Sequence, residues 1–247
     1  MSRYKRQQNL PLMQDGGQAK LQNACVAVIG AGGLGSPVLT YLTCAGVGKI
    51  RVIDTDIVEE TNLNRQFFYT PEHIGQQKAE VATKRLQEQN PEISVEAHAT
   101  LLDKNSIATL LFGADVVVDC VDNMQTRRLV NAWCVENKIP LVEGGIDGLY
   151  GYVLPIGENS PCFDCISSHE ADVKKENVGV LGATAGVIGT LQATVCLKIL
   201  LGGDVSYGNM LQYDGETMTF ETISFTHGES CPYHFHTAKS NETIKEN

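Results

Sequence analysis

Positive charge is scarce in this sequence. Its 247 residues hold 19 lysines and arginines against 29 aspartates and glutamates, a formal net charge of −10. That balance argues against a broad basic face, and so against long nucleic acid as the main partner. An apolar leader is missing too. The opening residues, MSRYKRQQN, contain no hydrophobic core of a secretory signal, so a cytoplasmic protein is expected. Unbroken long hydrophobic runs are also lacking. The longest apolar stretch, 182–203, is interrupted by Thr184, Thr190, Gln192 and Lys198. Those polar groups would sit in hydrocarbon, so the stretch reads as a buried core helix and no membrane contact is expected. Without an export signal, disulfides are the weaker expectation for the eight cysteines. Cys25, Cys44, Cys120, Cys134 and Cys196 lie in apolar or helical runs and read as small buried hydrophobes.

What is present is a globular composition, 43% hydrophobic and 19% charged, enough for one large α/β domain with a small appendage. The most informative segment is 25–54, CVAVIGAGGLGSPVLTYLTCAGVGKIRVID. A β-branched run meets Gly30-Ala31-Gly32-Gly33-Leu34-Gly35. A helical stretch follows, then a second apolar run ending in Asp54. Glycines allow a sharp turn and close approach to a phosphate, and the helix start behind them offers free N–H groups. An acid about twenty residues on suits ribose hydroxyls. The segment predicts a nucleotide site.

Downstream, 75–89 and 124–137 read as helices, 92–99 and 115–120 as strands, 104–112 as a helix and 140–143 as a short strand. This alternation predicts an α/β fold with a doubly wound, mainly parallel, Rossmann-like sheet. Past Gly148 the texture changes. Extended segments at 150–155, 209–214 and 217–224 would add antiparallel strands, with a helix over 187–201 packed on the sheet. The polar stretch 167–178 reads as a mobile loop, and 237–247 as a frayed polar tail.

A dehydrogenase needs little after the ribose acid. This chain continues with Asp56, then Asn62-Leu63-Asn64-Arg65-Gln66, then Lys78, then Asp119-Cys120-Val121-Asp122-Asn123. Arg65 and Lys78 can offset triphosphate charge, Asp122 past a buried strand suits Mg²⁺, and Asn62 and Asn64 can donate to phosphate oxygens. Taken singly, the asparagines would be turn residues, Asp122-Asn123 a helix cap and Arg6 part of a solvated tail.

Together with Arg3-Tyr4-Lys5-Arg6-Gln7 and Gly189-Thr190-Leu191-Gln192-Ala193, these blocks resemble the MoeB/ThiF/HesA family, bacterial relatives of ubiquitin-activating enzymes. The joint order and spacing carry the resemblance, over roughly residues 3–234; the glycine turn alone is weak. The resemblance implies an adenylyltransferase. It would use ATP and Mg²⁺ to convert the C-terminal carboxylate of a small ubiquitin-like sulfur-carrier protein into an acyl-adenylate and pyrophosphate. It implies nucleotide contacts from Gly30, Gly32, Gly33, Asp54, Asp56, Asn62, Asn64, Arg65, Gln66, Lys78, Asp122 and Asn123. Asp122 would carry the magnesium, Arg65 and Lys78 would act on the phosphates, and Arg6 would reach into a partner's site, so a homodimer is implied. On this reading, residues 1–236 form one adenylation domain with an N-terminal helical arm and a metal-knuckle tail.

Two further features concern cysteine. Cys162-x-x-Cys165 and Cys231-x-x-His234 are two separated knuckles that fit a closed tetrahedral zinc site. The resemblance implies such a structural zinc, usually on four cysteines; here His234 stands at the last position and His236 competes with it. A metal-free site and a redox pair are the alternatives. His73, His98, His169 and His227 have no such constellation and read as surface groups. Some relatives use a cysteine in the loop after the first knuckle for a covalent intermediate, and 173–178 has none. An appended rhodanese-like sulfur-transfer domain is not expected. Adenylation alone is therefore expected, with a separate sulfurtransferase or another protein delivering the nucleophile. Lys174 and Lys175 read as solvated. The competing readings are a peptide or modified-tRNA carboxylate as substrate, an NAD(P) oxidoreductase, and a non-catalytic ATP-binding scaffold.

Overall fold

The structure is a computed structural model that describes residues 3–167, 179–228 and 231–234. The apolar runs become one eight-stranded sheet: β1 (Cys25–Ile29), β2 (Lys49–Ile53), β3 (Ser94–His98), β4 (Val116–Asp119), β5 (Leu141–Asp147), β6 (Tyr150–Ile156), β7 (Asn209–Asp214) and β8 (Thr219–Ser224). Their spatial order is β3-β2-β1-β4-β5-β6-β7-β8. The first five pair in parallel and the last three antiparallel, as anticipated. β1 and β4 are buried on both faces, which is why they read as continuous apolar runs without alternation.

The helices are α1 (Lys5–Gln8), α2 (Gly17–Asn23), α3 (Gly35–Ala45), α4 (Lys78–Gln89), α5 (Ile107–Leu111), α6 (Met124–Asn137), α7 (Phe163–Ile166) and α8 (Gly182–Leu201). The two-residue strand period splits β1 between two cores. Val26 and Val28 pack with Val38, Leu42, Leu86 and Ile188 of α3, α4 and α8, whereas Ala27 and Ile29 pack with Ile107, Leu111, Val130 and Cys134 of α5 and α6. Helices on both faces follow from this.

Some boundaries move for local reasons. The helix expected from residue 75 begins at Lys78, because Gly75 takes a positive φ of 86° and Gln77 is extended, in an antiparallel bridge to Ile57. The helix expected from 104 begins at Ile107, because Asp103 Oδ1 accepts the Asn105 and Ser106 amides in a preceding turn. α8 starts five residues before the expected 187. It is the one helix among the described residues long and apolar enough to cross a membrane, yet Ala185, Ile188, Gln192, Ala193 and Cys196 are buried. One cysteine reading is corrected. Cys25, Cys120, Cys134 and Cys196 are buried, but Cys44 is exposed. On α3 it shares a helical face with exposed Tyr41, away from the Leu39 and Leu42 stripe. Of the loop expected at 167–178 all but Ser167 lies outside the described residues, as does the tail expected at 237–247, and with them His169, Lys174, Lys175 and His236.

Candidate active site

Strand order reverses between β1 and β4, and ligands of open α/β sheets bind beyond the carboxyl ends at such a point. Gly30 leaves β1 there with φ 95°, and a Cβ on it would lie 2.7 Å from the Cys120 carbonyl oxygen. At Gly35, where α3 begins, a Cβ would lie 2.0 Å from the Gly30 carbonyl oxygen. No side chain fits either place. Gly33 faces Arg65, whose Cδ would be 3.6 Å from a Cβ there, and Gly32 faces Gln66, whose Nε2 would be 3.5 Å away. The Asn-Leu-Asn-Arg-Gln block therefore lies against the glycine turn.

Asp54, at the end of β2, braces that turn. Its Oδ2 accepts the Ala31 amide at 2.7 Å and its Oδ1 accepts the Asp56 amide at 2.8 Å. Burial raises its pKa from the ordinary carboxylate value, and the two amides pull the other way. Each carboxylate oxygen keeps a second lone pair, so ribose hydroxyls can still be accepted. Lys78 is buried, and its Nζ lies 2.9 Å from Oδ2 of exposed Asp56. Tyr69, which sequence reasoning missed, closes the cradle. Its buried hydroxyl donates to the Ala31 carbonyl at 2.8 Å and lies 3.3 Å from that of Lys78. Only its place just after the Asn-Leu-Asn-Arg-Gln block hinted at this.

The polar turn itself is partly self-satisfied. Asn62 Oδ1 accepts the Glu59 amide at 2.9 Å, so this side chain caps its own turn. Arg65 Nη1 donates to the Thr61 carbonyl and to Asn64 Oδ1, both at 2.9 Å, which holds the guanidinium over the turn. Gln66 is buried, and its Oε1 has no hydrogen-bond partner among the described residues. An orphaned amide oxygen beside Gly32 is the kind of group a ligand satisfies. At the start of α8, a Cβ on Gly182 would lie 2.7 Å from the Asn64 carbonyl oxygen, so the helix end packs directly under this turn.

Asp122 is exposed just beyond β4, and Asn123 caps α6 by accepting the Thr126 amide at 2.9 Å. Beneath them lies a buried polar group that sequence reasoning did not find. Arg127 on α6 donates to the Val121 and Gly144 carbonyls at 2.8 Å each and to Glu143 Oε1 at 3.0 Å. Tyr152 donates to the same Glu143 oxygen at 2.7 Å, and Arg127 Nε lies 3.5 Å from Asp119 Oδ2. Burial pushes the Glu143 carboxyl up to about 7 against the pull of Arg127. Acids ending apolar strands were the one available signal. Gln192 of α8 donates to the Asp119 carbonyl at 2.7 Å.

Arg6 is not brought to this site within one chain. It is exposed on α1. That helix is tied to the far end of α3, where Gln7 donates to the Ala45 carbonyl at 2.8 Å. The 11 residues of α3 separate that end from the glycine turn, a span of roughly 16 Å at 1.5 Å per residue.

The two knuckles meet on the other side of the sheet. Sulfurs of Cys162 and Cys165 lie 3.9 Å apart and those of Cys162 and Cys231 3.6 Å apart. His234 Nδ1 lies 3.2 Å from Cys165 Sγ and 3.3 Å from Cys231 Sγ. Tetrahedral zinc with Zn–S bonds of about 2.3 Å spaces its sulfurs ~3.8 Å apart, so this donor set fits zinc. Asn131 supports it, donating to Cys162 Sγ at 3.6 Å and to Asp164 Oδ2 at 2.7 Å. Among the other histidines, His73 caps a turn by accepting the Thr70 amide at 3.1 Å, and His98 is half-buried near Glu96.

This fold and site define an adenylyltransferase of the E1-like class. A family model described as the ThiF family matches residues 4–233, and the chain belongs to that family. It is 37% identical over 237 residues to a SAMP-activating enzyme E1 of Haloferax volcanii, covering 94% of this chain and 88% of that protein. It is 41% identical over 243 residues to a sulfur carrier protein adenylyltransferase of Thermus thermophilus, covering 94% and 90%. Adenylyltransferase and sulfurtransferase MOCS3 of Drosophila grimshawi is 41% identical over 234 residues, 90% of this chain and 51% of that protein, so the chain spans about half of it. Among solved structures, Escherichia coli MccB with MccA-N7isoASN superposes with a TM-score of 0.82 at 25% identity, covering 94% of this chain and 75% of that one.

Proposed function

We propose that this chain adenylates the C-terminal carboxylate of a small ubiquitin-like sulfur-carrier protein with ATP, giving acyl-AMP and pyrophosphate. The observation that carries the reading is that, at the switch point of the sheet, Arg65 packs against Gly33 of the glycine turn, Asp54 accepts the Ala31 amide of that turn, and Lys78 pairs with Asp56 two residues on. Asp54 would accept the ribose hydroxyls while its amide bonds hold the turn. Arg65 and Lys78 would meet the phosphates, and the unpartnered Gln66 Oε1 would accept from a donor on the nucleotide, such as a ribose hydroxyl. Asp122 and Asn123 stand where Mg²⁺ would be held, and the ion would offset phosphate charge. A carboxylate oxygen of the carrier attacks the α-phosphorus, the bond to the bridging oxygen breaks, and its electron pair leaves with pyrophosphate. No general base is needed, because the carboxylate is already ionised at neutral pH. Cation side chains lower the barrier by matching charge that develops on the phosphates.

Further parts of the reading concern assembly. Arg6, remote from its own glycine turn, would serve the site of a second copy, in a homodimer. The Cys162, Cys165, Cys231 and His234 cluster would hold a structural zinc that pins the end of the chain to α6 and α7. No cysteine lies between Cys165 and Cys196 in the sequence, which supports adenylation without a covalent loop intermediate and sulfur delivery by a separate sulfurtransferase. Eight cysteines with no disulfide among them suit a reducing, cytoplasmic compartment.

The competing reading is a peptide carboxylate as acceptor. Pyrophosphate–ATP exchange with a carrier ending Gly-Gly tests both. Exchange that needs the carrier and is abolished in folded Asp122→Ala is expected. Exchange with a short peptide but no carrier would shift the substrate, and near-normal exchange in Asp122→Ala would remove the magnesium assignment.

A further inference from the structure

We infer that Arg127 is the positioning residue of Asp122, acting through the Val121 peptide on the metal-holding carboxylate. This rests on the reading of Asp122 given above. Asp122 is exposed, and no hydrogen bond among the described residues engages its carboxylate. What fixes it is the backbone on either side. The Val121 amide donates to Asp119 Oδ1 at 2.9 Å, and the Val121 carbonyl accepts from Arg127 Nη2 at 2.8 Å. One residue further on, Asn123 is locked as the cap of α6. Asp122 thus hangs between two fixed points, and its side chain has short reach.

The guanidinium suits this task and an ammonium does not. The same Nη2 bridges Val121 on the β4 edge and Gly144 on β5 at 2.8 Å each, so one planar fork sets the spacing between the strand ends. Nη1 is oriented by Glu143 and Tyr152, which hold the fork in plane. Both the arginine and the glutamate are buried, 6% and 0% exposed. A buried ion group held for stability alone is a weak investment, since apolar residues of like volume often serve as well. Its hydrogen bonds end on the peptide next to the exposed acid, which gives it a task at the site. A lysine at 127 keeps the charge but cannot reach two carbonyls and a carboxylate in one plane.

The test separates metal holding from folding. The ATP-loaded protein is titrated with Mn²⁺, the free ion being read by electron paramagnetic resonance, and ATP affinity is measured separately without divalent ion. Arg127→Lys is expected to weaken Mn²⁺ binding about tenfold, the size of effect typical of residues behind a metal ligand, while metal-free ATP affinity stays within about twofold. Tyr152→Phe, which removes one hydroxyl, should move Mn²⁺ binding in the same direction by a smaller factor, and it is read alone if the lysine variant does not fold. Asp122→Asn is the reference. If Asp122→Asn leaves Mn²⁺ affinity unchanged, the metal assignment itself fails. If Asp122→Asn loses the ion while Arg127→Lys and Tyr152→Phe keep it at wild-type affinity, Arg127 has no positioning role. Equal losses of Mn²⁺ and metal-free ATP binding would mark a merely structural residue and overturn the inference.

Discussion

Lys78 and Asp56 form an ion pair of 2.9 Å whose members differ sharply in exposure: the lysine side chain is 7% exposed and the aspartate 67%. On the proposed reading, this buried cation exchanges its wet partner for a phosphate. Lys78→Met is expected to lower the pyrophosphate-exchange rate by roughly 10²–10³-fold, the scale of one preorganised electrostatic contact. Because Asp56 remains in water, the urea midpoint should fall little. A large loss of stability with retained exchange would refute this assignment.

Glu143 gives a pH prediction. Burial raises its carboxyl from 4.5 to about 7, so the folded protein holds this proton more tightly than the unfolded chain does. The group therefore stabilises the fold fully below pH 4.5, and that contribution is lost as pH rises toward 7. Buried Asp119 is raised in the same sense, chiefly by burial. Urea unfolding of wild type and Glu143→Gln between pH 4.5 and 7.5 should show a flatter slope in the variant. Parallel curves would mean that the proton is held elsewhere.

Freshly purified protein should contain about one zinc per chain. Cys165→Ser should lower that content, and stripping the metal with a strong chelator should lower the thermal midpoint, because structural zinc binding is folding free energy. Protein without zinc and with the wild-type midpoint would leave the four side chains as a plain thiol cluster.

Arg6→Ala and Asp122→Ala should each be inactive alone. Mixed and allowed to exchange subunits, they should regain a minor fraction of wild-type exchange, because a hybrid dimer contains one intact site. No recovery in hybrids verified by mass would place Arg6 outside the reaction.

Tyr69→Phe removes one buried hydrogen bond, at a cost of about 1 kcal/mol in stability. It also frees the Ala31 carbonyl, so the KM for ATP should rise while the fold persists in circular dichroism.

Much of this fold lay open in the sequence, because the central strands β1 and β4, buried on both faces, write themselves as uninterrupted apolar runs. The glycine turn was legible for a steric reason: Gly30 and Gly35 leave no room for a Cβ. Cys162, Cys165, Cys231 and His234 were legible by spacing alone. Arg127, Glu143, Tyr152 and Tyr69 were not. Their partners lie 6 to 38 residues away, reached only when strands and helices stack, and no local period marks them. Cys44 misled because its neighbours in sequence are apolar while its helical face is not. Asn62 and Asn123 carry capping bonds that turn chemistry had offered as the plainer reading.

The Cys/His clasp joins points of the chain 69 residues apart. Between them runs α8, whose first turn props the peptide that bears Arg65. Four side chains from two distant knuckles thus hold the residues around His234 against α7 and against Asn131 of α6.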